Sequence, residues 1–151
     1  YIDENDFQSA LPLSDNPEQG FVGFVDGSIG QIPPNSYGVH ADTVASILRQ
    51  YGLPAVAKKS MSFLELQQQI ATGNPVIVWV IGNVWSGTPI VYTAADGSEV
   101  IVAHNEHTVI LIGYTESSVL ITDGNLVYWR AISLFQNSFS VLGNMAIVRS
   151  D

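Results

Sequence analysis

The stretch Pro75-Val76-Ile77-Val78-Trp79-Val80-Ile81, closed by Gly82, constrains this chain more than any other. An unbroken apolar run of this length is too short to cross a bilayer, which takes roughly 18 residues or more. It is also too continuous for a strand with one face in water. It therefore predicts a central strand covered on both sides. From Asn74 onward the chain proceeds in further short apolar or alternating segments. Pro89 to Ala94 and Glu99 to Ala103 flank Asp96-Gly97, a strong hairpin signal. His107 to Tyr114, Val119 to Asp123, Leu126 to Trp129 and Asn144 to Arg149 follow with turn-sized gaps, and Ile132 to Gln136 reads as one helical turn.

The part before Asn74 reads differently. Asp3 to Leu11 fits a short helix with an acidic first turn, stopped by Pro12. A glycine- and proline-bearing segment from Ser14 to Tyr37 is too long for an ordinary connection and too apolar for a linker. A cleft lid and a packed surface cover are both open for it. His40 to Tyr51 predicts a helix with Val44, Ile47, Leu48 and Tyr51 on one face and Gly52 as its stop. Pro54 to Lys58 fits a strand. Ser62 with Glu65 forms a capping box for a helix whose buried stripe includes Leu64 and Ile70. Helices first and an antiparallel sheet second make the fold class α+β, as one domain over residues 1–151.

Charge and composition narrow the partners. Fourteen acidic residues against five basic ones give a formal charge of −9. No basic stripe exists to neutralise phosphates, which excludes nucleic acid as a partner class. No transmembrane segment is expected. With no cysteine the chain has no disulfide, no thiolate metal ligand and no thiol nucleophile.

Two constellations bear on chemistry. His104-Asn105-Glu106-His107, with Glu99 nearby, does not match a helical zinc motif, which sets its histidines four apart. On a strand, residues three apart face opposite ways. No metal and no cofactor is expected. His107 and Asp123 come to the same open end if their strands pair as a hairpin around Thr115 to Ser118. A carboxylate on one imidazole nitrogen fixes the tautomer and supports imidazolium, the arrangement that holds a nucleophile-activating base. Spacing alone favours a structural histidine beside a turn aspartate over a site. Trp79, Asn83 and Trp85, at and after the end of the apolar strand, are candidate walls of a peptide-binding cleft, with a plain core role for Trp79 as the alternative.

The stretches Gly73-Asn-Pro-Val-Ile-Val-Trp79, Glu106-His107-Thr-Val-Ile-Leu-Ile-Gly113-Tyr114 and Val119-Leu-Ile-Thr-Asp123 resemble the bacteriocin-processing-type cysteine peptidases, family thirty-nine of the papain-like group. Gly20-Phe-Val-Gly23, Tyr37-Gly-Val-His40-Ala41 and Tyr51-Gly52 are similar to secreted relatives of that family. The resemblance implies a papain-like fold, with His107 as general base and Asp123 as the acid that orients it. It implies a peptide or protein substrate and an extracellular or cell-surface bacterial setting. The family's cysteine, at the start of an early helix, and its upstream glutamine have no counterpart here. Tyr1-Ile2-Asp3-Glu4 resembles the stretch just after that helix, so the expectation is a domain lacking its N-terminal, cysteine-bearing segment, with that segment as its partner.

Two functions follow. One is a papain-like cysteine peptidase of which this chain supplies the His/Asp half. The other is a catalytically inactive peptide-binding or adaptor domain on the same fold, and a different acyl transfer is a third route. Loss of the first helix is further expected to expose an apolar groove around Val76, Val78 and Val80.

Overall fold

The computed structural model describes residues 1–150. Four helices and eight strands follow one another as α1 (Glu4–Ala10), α2 (Ala41–Gln50), β1 (Ala55–Lys58), α3 (Phe63–Ala71), β2 (Val76–Ile81), β3 (Ile90–Thr93), β4 (Glu99–Val102), β5 (Glu106–Tyr114), β6 (Ser118–Asp123), β7 (Leu126–Ala131), α4 (Ile132–Ser140) and β8 (Ala146–Arg149). Six strands form one sheet in the order β1-β8-β2-β5-β6-β7, every neighbouring pair antiparallel, while β3 and β4 make a separate hairpin.

The continuous apolar run has a direct physical cause. Val76, Val78 and Val80 face Leu66 of α3 and Phe135 and Phe139 of α4. Trp79 and Ile81 face Ala41 and Ala45 of α2, with Met145 and Ile147. Both faces of β2 are thus sealed, and alternation would leave one of them unfilled. The expected groove around Val76, Val78 and Val80 is therefore not present, because α3 and α4 bury all three completely. The open apolar surface lies on the opposite face. There α2 stops short, leaving Ile110 and Ile112 of β5 partly in water although Val109 and Leu111, which alternate with them, are buried.

Local signals set the helices. Asp3 accepts from the amides of Asn5 and Asp6 to cap α1. The Ser62–Glu65 capping box is formed reciprocally, and Gly73 takes the left-handed conformation after α3. Leu64 does not join the buried stripe. It is exposed, and Leu66 is the residue α3 drives into the core. The helical turn expected at Ile132 to Gln136 extends to Ser140, because Phe135 and Phe139, one turn apart, stack at 5.3 Å inside the core.

The segment from Ser14 to Tyr37 folds back on itself. Val22 and Gly38 pair through a bridge, with the Val22 amide bonded to the Gly38 carbonyl at 2.8 Å and the Tyr37 amide to the Val22 carbonyl at 2.9 Å. Asp15 takes the Ala95 amide at 2.7 Å and the Tyr92 hydroxyl at 3.1 Å, which fastens the β3–β4 hairpin to this segment.

Phe135 joins α3, α4 and the sheet, with its ring also 6.2 Å from that of Phe63. Phe135→Ala is expected to destabilise the protein by about 3–5 kcal/mol. Urea denaturation checks this; a loss under 1 kcal/mol would mean that the site collapses around the cavity.

Candidate active site

His107 is the second residue of β5 and Asp123 the last of β6. A fault in the ladder between these strands determines whether the two side chains meet. Tyr114 pairs with Val119 and Gly113 with Leu120, but the next partners are Leu111 with Ile121 and Ile110 with Thr122. Ile112 is the extra residue of a β-bulge. Continuing this register sets Asp123 opposite Val109, on the face His107 shares at two residues' distance. A regular ladder from the same turn would set Asp123 opposite Ile110, with its side chain on the other face.

The bulge brings the pair into contact. His107 Nε2 lies 2.9 Å from both Asp123 Oδ1 and Oδ2. A nitrogen held between two carboxylate oxygens carries a proton, so the neutral imidazole has its lone pair on Nδ1. Among the described residues Nδ1 has no hydrogen-bond partner, and the His107 side chain is 40% exposed while Asp123 is 18% exposed. Such an imidazole can accept a proton at Nδ1 and keep the resulting charge beside a carboxylate.

Tyr128 of β7 supports the carboxylate. Its hydroxyl is 3.3 Å from Asp123 Oδ2 and 3.5 Å from Asn83 Oδ1, while the Arg130 guanidinium lies 4.2 Å above its ring. Burial, with Asp123 next in importance, raises the Tyr128 phenol above its usual range and keeps it a donor. No spacing signal marked Tyr128, because it reaches Asp123 across a strand pair rather than along the chain.

Trp79, Asn83 and Trp85 do not form one wall. Trp79 has no exposed surface, and its indole Nε1 donates to the Val39 carbonyl at 2.9 Å. Trp79 is core, because the side of β2 it occupies is sealed by α2. Asn83 lies in the turn after β2, within reach of Tyr128, and its carbonyl accepts from Arg130 Nε at 3.3 Å. Trp85 is exposed, its ring against Gly82. His104 donates through Nδ1 to the Gly30 carbonyl, 2.8 Å away, which ties the long segment to the turn before β5. Among the described residues no three histidine, aspartate or glutamate side chains gather to hold a metal ion.

Two further titratable sites were not marked by spacing. Glu18 bonds His40 Nδ1 at 2.8 Å and Lys59 Nζ at 2.9 Å, and His40 Nε2 meets the Tyr37 hydroxyl at 2.9 Å. Burial alone would raise the Glu18 carboxyl, but the bonds to His40 and Lys59 outweigh it and hold it down to about 2. Glu106 is the reverse case. Burial pushes it up to about 8, outweighing the hydrogen bonds of Thr108 and Trp79.

A groove of about 410 Å³ opens beside Asp123, lined by Phe7, Val44, Leu48, Ile77, Ile110 and Thr122. An adjoining cavity of about 340 Å³ shares Leu48, Ile77 and Ile110 with it.

An α+β fold with helices leading and an antiparallel sheet following, as here, is the papain-like arrangement. Residues 2–147 match the Peptidase_C39 like family, and the chain belongs to that family. A crystal structure described as a C39-like peptidase from Bacillus anthracis superposes with a TM-score of 0.83 at 24% identity, covering 99% of this chain and 80% of that one. No curated protein matches the chain.

Deleting Ile112 restores a regular ladder. Leu111 still pairs with Ile121 in that ladder and Val109 still lies opposite Asp123, so the far-UV circular dichroism of the sheet and the hydrogen-bonded His107 Nε2 proton in the NMR spectrum are both expected to persist; loss of that signal would mean that the contact depends on the bulge geometry itself and not on the register it sets. The carboxyls predict opposite pH responses. Glu18 is ionised in the folded state below the pH at which it ionises when unfolded, so its contribution is complete above about pH 4.5 and is lost on acidification toward about 2. Folded Glu106 keeps a proton that the unfolded chain releases near 4.5, so stability declines as pH rises from there toward 8. Urea midpoints measured across this range should show Glu18→Gln flattening the acid limb and Glu106→Gln flattening the decline. Unchanged slopes would contradict both assignments.

Proposed function

We propose that this chain is the base-bearing part of a papain-like cysteine-peptidase domain. The observation that carries the reading is the His107 imidazole held through Nε2 by both oxygens of Asp123, with Nδ1 free and accessible. In this role Nδ1 takes the proton of an attacking thiol, and Asp123 stabilises the imidazolium. The thiolate adds to a peptide carbonyl, and the proton on Nδ1 then passes to the leaving amine. Water attacks the acyl-enzyme with the same nitrogen as base.

These 151 residues contain no cysteine, so the thiol has to come from outside them. The open groove supports its arrival on a packed segment. The surface beside Asp123 is apolar and continuous, and Ile110 lies at its centre. A cysteine-bearing helix from the remainder of the same domain fits that surface in character, and the groove extends to Asp123.

The absence of cysteine equally motivates a second reading, an inactive peptide-binding domain that retains the cleft. The two differ in a single experiment on the full-length gene product. Under the peptidase reading, peptide hydrolysis is blocked by a thiol alkylator, and His107→Ala and Asp123→Ala each lower kcat by about 10²–10⁴-fold. Residues 1–151 by themselves give no turnover. Peptide binding without hydrolysis, equal in wild type and His107→Ala, would replace this reading with the second.

A further inference from the structure

Glu106 precedes His107 in β5, their Cα atoms about 3.8 Å apart. It pairs with Ile81 at the end of β2 and its carboxyl turns to the side on which the long segment lies. A side chain added at Gly38 would come within 2.7 Å of its Oε2, so the glycine is what leaves room for it. The carboxyl lines a cavity of about 110 Å³ together with Phe21, Phe24, Val25, Ile29 and Tyr37 of the long segment. The segment is held over this cavity by the His104–Gly30 bond and by the Val22–Gly38 bridge.

This carboxyl has only the neutral side chains of Thr108 and Trp79 as partners and no cation. Among the described residues none of the salt bridges reaches Glu106, and Glu18 has taken the one lysine that any buried carboxylate here engages. Buried carboxylates are ordinarily paired, because isolation from water disfavours the charge. An unpaired one in a cavity is therefore a place where a ligand supplies the missing cation. The other walls suit the same ligand. Phe21, Phe24 and Tyr37 present aromatic rings, which attract ammonium and guanidinium groups and pack the methylene stem of a long basic side chain. The formal charge of −9 draws cationic ligands toward the surface in general.

We propose that this cavity is a subsite for a basic side chain, lysine or arginine, of a peptide engaged at His107; the assignment rests on the peptidase reading of that histidine. Occupation places an ammonium or guanidinium against the Glu106 carboxylate and its methylenes against Phe21 and Phe24. It also holds the peptide at the end of β5 that carries His107, the two side chains facing opposite sides of the sheet. The proposed discrimination is for charge, since a neutral side chain of the same shape leaves the carboxyl unpaired.

N-acetyl-arginine amide and its neutral isostere N-acetyl-citrulline amide, titrated into the chain and followed by NMR, test this without requiring catalysis. The arginine compound is expected to bind at least about tenfold more tightly, with shifts centred on Gly30, Ser36, Tyr37 and Glu106. Glu106→Gln is expected to reduce the preference to under about twofold, and His107→Ala to leave it in place. Equal affinities in the wild type, shifts centred elsewhere, or a preference that survives Glu106→Gln would each overturn the proposal. The comparison of the two compounds on the wild-type chain needs no variant to fold. Absence of hydrolysis by the full-length gene product, with the arginine preference intact, would remove the peptidase reading alone.

Discussion

The site depends on a single irregularity in one strand pair. Ile112 is the residue that β5 has in excess of β6, and it changes the face on which everything beyond it meets its partner. Between the turn at Thr115–Ser118 and the bulge the strands pair in one register. Past it, Asp123 moves one position along β5 and its side chain crosses to the face of His107. The contact of Nε2 with both carboxylate oxygens is a consequence of that slip rather than of residue spacing. The bulge is in turn held by the sheet around it, because β5 is anchored over six consecutive positions against β2, which is sealed on both sides.

The sheet is covered unequally on its two faces. α3 and α4 close one face across β2, β5 and β6. On the other face α2 covers Trp79, Ile81 and Ile147, then stops. Beyond it, Ile110 and Ile112 are apolar residues in partial contact with water, in a strand whose sequence is apolar on both sides. This open apolar surface reaches Asp123 at one end. It also explains why β5 does not alternate in sequence although it alternates in burial.

Polar groups inside the fold are resolved in two different ways. Glu18 is satisfied from two sides, by His40 and Lys59, and so stays ionised while joining the long segment to α2. Glu106 has no cation and holds its proton instead. The same residue type, in the same half of the molecule, is thus ion-paired in one place and without a cation in the other. The second lines the cavity under the long segment and precedes His107 in the chain.

Sequence by itself determined the α+β order, the two-sided central strand at Val76–Ile81, the Asp96-Gly97 hairpin, the capping box at Ser62 and the absence of any thiol. These are legible because periodicity, caps and turn residues act within a few positions of one another. Tertiary structure decided which side of each strand is covered, so Trp79 became core, Leu64 stayed outside and the open groove appeared on the face opposite to Val76, Val78 and Val80. It also decided that α4 continues through Phe139, since that ring gains its partners only from α3 and the sheet. His107 and Asp123 were visible as two residues at strand ends, but their contact needed the bulge at Ile112, which no local signal announces. A bulge is a compromise between two strands packing against a common core, and neither strand encodes it alone.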